Sequence, residues 1–284
     1  MERVTIIGTG LIGASVGLAL RAAGFSGALS GWDRHPEEAA LALRQGAVDT
    51  VAADPVQAAR DADVVVLATP VLAILEWMDR LAPHMGAHQL LTDVGSTKAR
   101  LCAAAHSGFN RQGRAAFLPG HPMAGKELSG AAQAAAGLFE GAIWLWTPVA
   151  AETELSRQWR EWVSRFGCRT LDLEPSAHDE LVAWASHLPQ FLATALSATL
   201  EDEFGASAEA RGHLRAVGGR AMREMTRLGA SPFSMWRDIA HSNPGPIAAA
   251  LLALEQRLAD IRQALTQPEL RDEFERANQF RKLL

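Results

Sequence analysis

The feature that most constrains this chain is a glycine-rich turn close to its N-terminus. The β-branched run Val4–Ile7 predicts a buried strand, and the turn Gly8-Thr-Gly10-Leu11-Ile12-Gly13 follows it directly. An apolar stretch with helical spacing comes next, over residues 14–23. In such a strand–turn–helix unit the pattern G-x-G-x-x-G is typical of dinucleotide binding. Gly8 permits the tight turn, Gly10 lets a pyrophosphate approach the backbone, and Gly13 lets the helix pack closely on the strand.

The predicted cofactor site extends to the end of a second strand, which is predicted over residues 28–32. The N-terminus of that helix, next to Leu11 and Ile12, presents free N–H groups and a partial positive charge to the phosphates. Asp33 stands about 20 residues past the last loop glycine, where a carboxylate accepts hydrogen bonds from the adenosine ribose. A carboxylate there repels a 2′-phosphate and so favours NAD, although Arg34 could pair with that phosphate in NADP. The alternative for Asp33 is a plain turn acid without a ligand.

Two further predicted strands end in polar segments at the edge of the sheet where ligands bind. The apolar run 63–68 is typical of a strand buried on both faces of a parallel sheet, and Thr69-Pro70 ends it. The next strand, over residues 89–92, runs into Asp93-Val-Gly-Ser96-Thr-Lys98 and a helix. Ser96 is placed either to contact nicotinamide or substrate, or only to cap that helix.

A third candidate segment, over residues 117–127, carries one histidine among glycines and prolines. Its sequence is Phe-Leu-Pro-Gly-His121-Pro-Met-Ala-Gly-Lys-Glu127. The Gly-His-Pro context suits neither a helix interior nor a strand centre, so we expect an irregular segment that presents the imidazole. Because histidine titrates near neutral pH, His121 is predicted to be the acid/base group. The alternative is a turn whose histidine only satisfies a backbone carbonyl.

The length of 284 residues and the order of the predicted elements favour two domains. Strands are predicted over 142–147 and 168–173, with an amphipathic helix over 152–166 between them. The alternation of strands and helices predicts an α/β fold with a doubly wound parallel sheet and antiparallel additions at its end. Strand signals then stop. We therefore expect a dinucleotide-binding domain over residues 1–173 and an all-helical domain over 174–284 that closes over the substrate.

Two features of the helical half indicate a small anionic ligand. His187 lies beside Pro189, which kinks or restarts a helix, so it is a pocket candidate or else a buried structural residue. Arg220, Arg223 and Arg227 share one helix face, which suits a dicarboxylate or forms only a solvated basic stripe.

Trp236 either lines the predicted anion pocket or packs in the core. A heptad spacing then predicts a seam against a partner helix or a second subunit, and hence a homodimer. The seam consists of Ile247, Leu251, Leu254, Leu258, Ile261 and Leu265.

Composition argues against several classes of protein. The net charge of −5, without a long basic run, argues against nucleic-acid binding. No apolar run reaches about 18 residues, so we expect no membrane span, and the strand at the N-terminus predicts no signal peptide. Cys102 and Cys168 have neither C-x-x-C nor metal-like spacing, so we expect a reducing cytoplasm and no metal site. The chain has no tyrosine, which excludes dehydrogenases that use a Tyr/Lys pair.

Taken in order, these motifs resemble those of the prephenate/arogenate dehydrogenase family. The resemblance rests on the glycine loop, on 93–98, on Gly120-His-Pro-Met-Ala-Gly-Lys-Glu127, on Ser186-His-Leu-Pro189 and on the segment from Thr226-Arg227 to Met235-Trp236-Arg237. It implies a Rossmann domain followed by a helical dimerisation domain. It also implies oxidative decarboxylation of prephenate to 4-hydroxyphenylpyruvate in tyrosine biosynthesis, with hydride transfer to NAD.

The resemblance further implies a role for each matching residue. His121 accepts the proton of the ring hydroxyl, and Ser96 hydrogen-bonds near that hydroxyl. Arg227 holds a substrate carboxylate. The residues implied to line or gate the pocket are His187, Arg223, Trp236 and Glu127.

The chain departs from the family pattern at three positions. Gln190 stands where the family often has histidine, Arg223 where it often has lysine, and Glu224 where it often has aspartate. These departures leave arogenate, or both compounds, open as the substrate. A hydroxyacid dehydrogenase of similar architecture needs a lysine between Glu174 and Leu200, and none is present. A dinucleotide sensor without turnover is the remaining alternative.

Overall fold

The computed structural model describes residues 1–126 and 128–283, so Glu127 lies outside the described residues. Its first part is a parallel sheet with the strand order β3-β2-β1-β4-β5-β6. The strands are β1 Arg3–Ile7, β2 Ala28–Trp32, β3 Thr50–Val51, β4 Val64–Leu67, β5 Leu90–Asp93 and β6 Ala116–Leu118. The helices between them are α1 Leu11–Ala22, α2 Pro36–Arg44, α3 Pro55–Asp61, α4 Val71–Leu81 and α5 Ala99–Gly108.

The strand order reverses beside β1, which puts the glycine loop at the crevice where such sheets bind ligands. β4 is buried at every residue, as the apolar run predicted. Hydrophobic clusters cover both faces of the sheet. The prediction of a doubly wound α/β sheet followed by helices is confirmed.

A second, smaller sheet follows, and it corrects the prediction for His121. Its order is β7-β8-β9, with β7 antiparallel to β8, and it consists of β7 Gly120–Pro122, β8 Ile143–Trp146 and β9 Arg169–Asp172. Helix α6 Glu154–Ser164 joins β8 to β9. His121 is the central residue of β7 and pairs with Leu145. The prediction of an irregular segment was wrong, because an edge strand of three residues tolerates a terminal proline.

The rest of the described chain is helical. It contains α7 Pro175–Val182, α8 Leu188–Phe204, α9 Ala208–Val217, α10 Arg220–Thr226, α11 Phe233–Ser242, α12 Pro244–Gln263 and α13 Leu270–Arg281. The restart predicted near Pro189 takes the form of a π-helical turn, Ala183–His187, between α7 and α8. Pro189 then lies in the first turn of α8, where no backbone donor is needed. The boundary predicted between 173 and 174 stays a prediction.

The predicted seam lies mostly on α12. Ile247 is buried and packs in a small cluster with Leu251, whereas Leu258 and Leu265 are 52% and 63% exposed. Within the described residues, no helix combines the length and the apolar composition that crossing a bilayer requires.

Candidate functional site

The glycine loop has the geometry that a pyrophosphate needs. Gly8 has a φ of 95°, which favours glycine, and a Cβ on Gly13 would overlap the Gly8 carbonyl oxygen. By contrast, a Cβ on Gly10 would meet no atom of the described residues within 4 Å, so the space in front of it is open. No side chain caps the start of α1, and its first turn holds no acidic residue. The N–H groups there are therefore available to an anion.

The carboxylate of Asp33 is fixed beside this loop. Its two oxygens accept hydrogen bonds from the backbone N–H of Thr9 at 2.8 Å and of His35 at 2.9 Å. Arg34 is exposed and donates from Nε to the ring of His35 at 2.9 Å. Thr69 lies on the other side of the loop, with its methyl group 2.9 Å from the position of a Cβ on Gly8. The structure thus brings Asp33, Thr69 and the glycines together.

A buried ion pair joins the segment after β5 to β7. Lys98 Nζ donates to the Asp93 carboxylate and, at 2.7 Å, to the carbonyl oxygen of Gly120. Asp93 also accepts from the N–H of Gly95 at 2.7 Å and of Gly120 at 3.3 Å. Both charged side chains are 0% exposed, and burial raises the pKa of Asp93 although the Lys98 charge opposes that change. This pair fixes Gly120, the residue before His121.

Ser96 lies half-buried in the same segment. The alternative that it only caps the following helix was wrong. Helix α5 begins at Ala99, and the carboxylate of Asp179 accepts hydrogen bonds from the N–H of Lys98 at 2.7 Å and of Ala99 at 2.9 Å. An acid from α7 therefore caps α5.

His121 contacts a second histidine rather than a backbone carbonyl. Its Nδ1 lies 2.9 Å from Nε2 of His178, and Nδ1 of His178 lies 2.8 Å from Oδ1 of Asp179. All three side chains are buried, with His121 8% exposed. Asn243 donates to the backbone oxygen of Asp179 at 2.8 Å and lies 3.5 Å from Nδ1 of His187. Side chains from β7, from α7, from the π-helical turn and from Asn243, directly after α11, thus form one polar network.

Burial sets the protonation of this network. It lowers the pKa of His121 well below 6.5, and positive charge on His178, Lys98 and His187 acts in the same direction. Burial also lowers the pKa of His178, although Asp179 opposes it, and lowers that of His187 to about 4. At neutral pH the three imidazoles are therefore neutral. A neutral imidazole has one ring nitrogen that can take a proton.

Sequence reasoning did not identify His178, Asp179 or Lys98 as functional residues. The run Ser-Ala-His178-Asp179-Glu by itself predicts only a helix start. An adjacent His-Asp pair directly after the last predicted strand is the signal that could have identified them. A lysine five residues after Asp93 is the corresponding signal for the ion pair.

The predicted anion site lies farther along the helices and differs in its local structure. Helix α10 ends at Thr226, and Arg227 begins a 3₁₀ turn, Arg227–Ala230, so only Arg220 and Arg223 lie on the α-helix itself. Arg223 is exposed and donates to the Gly218 oxygen at 3.2 Å. That Arg227 shares a face with the other two arginines stays a prediction.

Gln190 fixes that turn on α8. Its amide nitrogen donates to the Leu228 oxygen at 2.7 Å and to Thr194 Oγ1 at 3.2 Å, and its oxygen accepts from Ser231 at 3.0 Å. A Cβ on Gly229 would lie 2.5 Å from Ser197 Oγ, so the turn packs tightly on the helix.

Trp236 packs edge-on against His187 and Phe191, with ring centroids 5.8 and 5.9 Å apart. Its Nε1 is buried and finds no hydrogen-bond partner among the described residues. The structure therefore brings Trp236 and His187 together in the helical half.

Comparisons with known proteins agree with this architecture. The family model described as prephenate dehydrogenase, nucleotide-binding domain, matches residues 16–170, and the model described as prephenate dehydrogenase, dimerization domain, matches 174–280. A prephenate dehydrogenase of Lactococcus lactis is 30% identical over 267 residues, which cover 94% of this chain and 72% of that one.

Two solved structures extend the likeness. Prephenate dehydrogenase from A. aeolicus, in complex with hydroxyphenyl propionate and NAD+, has a TM-score of 0.88 and 27% identity over 99% of this chain and 98% of that one. Arogenate dehydrogenase of Synechocystis has a TM-score of 0.80 and 26% identity over 99% of each chain.

Proposed function

The chain belongs to the prephenate dehydrogenase family of NAD-dependent oxidoreductases, and on that premise we propose that it converts prephenate to 4-hydroxyphenylpyruvate in tyrosine biosynthesis. The observation that carries the proposal is His121, a buried and neutral imidazole beside the Ser96 segment. The reaction needs one base of this kind, because NAD, when bound, supplies the hydride acceptor.

The glycine loop and Asp33 fit NAD. The unfilled space in front of Gly10 and the uncapped start of α1 suit the pyrophosphate, with N–H groups from Leu11, Ile12 and Gly13. The Asp33 carboxylate would accept hydrogen bonds from the ribose and would repel a 2′-phosphate, while Arg34 already contacts His35. Thr69 and Pro70 would border the site. These contacts favour NAD over NADP.

In the proposed reaction, His121 accepts the proton of the ring hydroxyl through Nε2, while Ser96 hydrogen-bonds to the same hydroxyl. Hydride leaves the carbon that carries this oxygen, and a ketone conjugated with the ring forms there. The ring carboxylate is then lost as carbon dioxide, and the ring becomes aromatic. The residues orient the reactants and accept one proton, and burial excludes water from the base.

The helical half would bind the carboxylates of the substrate and join two copies of the chain. Arg227 would hold one carboxylate through its bidentate fork, with Arg223, His187 and Trp236 at the pocket. The exposed seam residues Leu258 and Leu265 support a homodimer through this half. Two free cysteines fit a reducing cytoplasm.

Arogenate is the second candidate substrate, since a structural relative carries that activity in its name and Gln190 stands where the family often has histidine. The test mixes purified protein with NAD and prephenate, and separately with arogenate, and follows absorbance of the reduced cofactor. We expect turnover with prephenate. Turnover with arogenate but not with prephenate would make arogenate the substrate. No turnover with either compound would overturn the proposed function.

A further inference from the structure

We propose that His178 and Asp179 are positioning residues that hold His121 in the tautomer with a protonated Nδ1, so that Nε2 is the atom that takes the substrate proton. This inference rests on the proposed function, because it specifies how the base of that reaction is prepared. It concerns a contact between two histidines 57 positions apart in the chain.

The hydrogen-bond chain has only one consistent direction. Asp179 accepts through both carboxylate oxygens, from two backbone N–H groups, so the ring of His178 has to donate to it from Nδ1. A neutral His178 that donates from Nδ1 has a bare Nε2, which has to accept. Nδ1 of His121 is then the donor, and its Nε2 carries no proton. The same logic governs a Ser-His-Asp triad, in which the acid selects the tautomer of the base.

Backbone geometry fixes the orientation of the Asp179 carboxylate. The N–H groups of Lys98 and Ala99, at 2.7 and 2.9 Å, come from the start of α5, while Asp179 itself lies on α7. Asn243 binds the Asp179 carbonyl oxygen from the end of α11. The carboxylate therefore cannot turn away from His178 without breaking two hydrogen bonds to the backbone of another element.

The charged and titratable groups that face His121 make this orientation matter for catalysis. Lys98 on one side pairs with Asp93, and His187 on the π-helical turn is neutral near pH 7. When His121 takes the substrate proton, its new positive charge is buried next to a lysine. A hydrogen bond from its Nδ1 to His178, which is bound in turn to Asp179, stabilises that charge without any movement.

The first experiment is ¹⁵N NMR of the full-length wild-type protein with ring-labelled histidine at pH 7. The signals of His121 are identified as those that disappear in His121→Asn. We expect a protonated Nδ1 and an unprotonated Nε2 in His121, and the same tautomer in His178. A protonated Nε2 in His121 would overturn the proposal. The measurement needs no turnover, so its failure is distinguishable from failure of the proposed function.

The second experiment compares His178→Phe, which keeps a ring but no acceptor, with His178→Gln, whose amide oxygen can accept from His121. We expect kcat to fall about 10²-fold in His178→Phe, with the KM for NAD within about twofold of wild type. The kcat of His178→Gln should be at least about fivefold higher than that of His178→Phe. The exposed His106 provides the matched control His106→Phe, which should keep wild-type kcat.

The pattern of these variants decides between positioning and mere packing. If His178→Phe and His178→Gln lose kcat equally while both retain the wild-type melting temperature, the acceptor role of His178 is wrong. If either variant unfolds, the tautomer of the wild-type protein decides alone.

Discussion

Replacing Lys98 by methionine tests the buried ion pair that fixes the segment before His121. Methionine has a similar length and volume, so the substitution removes the ammonium group with little loss of packing. The Asp93 carboxylate would then lack its counter-charge at a position with 0% exposure, and the Gly120 oxygen would lose its donor.

The expected magnitude follows from the complete burial of both partners. Removing one member of a buried pair costs about 3–5 kcal/mol, because the remaining charge is neither paired nor hydrated. The double variant Asp93→Asn/Lys98→Met removes both charges, and the asparagine oxygen can still accept from Gly95 at the present 2.7 Å. We expect it to be more stable than Lys98→Met alone by about 2 kcal/mol.

The assay is urea unfolding of the wild type, the two variants and the surface control Arg157→Met. Arg157 pairs with Glu154 at 2.8 Å, but both are more than half exposed, so its loss should change the free energy of unfolding by less than about 1 kcal/mol. If Lys98→Met destabilises the protein no more than Arg157→Met does, the reasoning about the buried pair is refuted.

Three further predictions concern the cofactor loop, the anion site and the response to acid. Gly10→Ala should leave the melting temperature unchanged but weaken NAD binding, measured by calorimetry, about tenfold or more. Gly13→Ala should lower the melting temperature, because a Cβ on Gly13 meets the backbone and one on Gly10 does not. Equal behaviour of the two variants would contradict the predicted cofactor site. Arg227→Ala should raise the KM for prephenate about 10-fold to 100-fold with kcat nearly unchanged, and an unaltered KM would move the anion site elsewhere. His187 should destabilise the fold by about 3 kcal/mol as pH falls from 6.5 to 4, since in this pH range its ring binds a proton in the unfolded chain but not in the folded one. If the urea midpoint of His187→Gln keeps the full pH dependence of the wild type, this prediction is wrong.

The cofactor half could be predicted from the sequence because its signals are local. A strand, three glycines and a helix specify the loop within ten residues of one another, and Asp33 follows the neighbouring parallel strand, β2. Parallel strands end at the same edge of a sheet, so residues after β1, β2 and β4 meet there without further information.

The arrangement around His121 could not be predicted because it depends on contacts between distant segments. β7 is a strand only because β8 pairs with it, after an intervening segment of twenty residues, 123–142. The contact of His121 with His178 depends on how α7 packs against α5, which no periodicity encodes. Arg227 leaves the helix that its spacing predicted, because the chain tightens into a 3₁₀ turn bound to Gln190.

The most direct test of the central claim is the steady-state turnover of His121→Asn with NAD and prephenate, together with its affinity for NAD. If His121 is the base, kcat falls by about two to four orders of magnitude, while the Kd for NAD stays within about twofold of wild type. If the variant turns over within about tenfold of the wild-type rate, His121 is not the group that accepts the substrate proton.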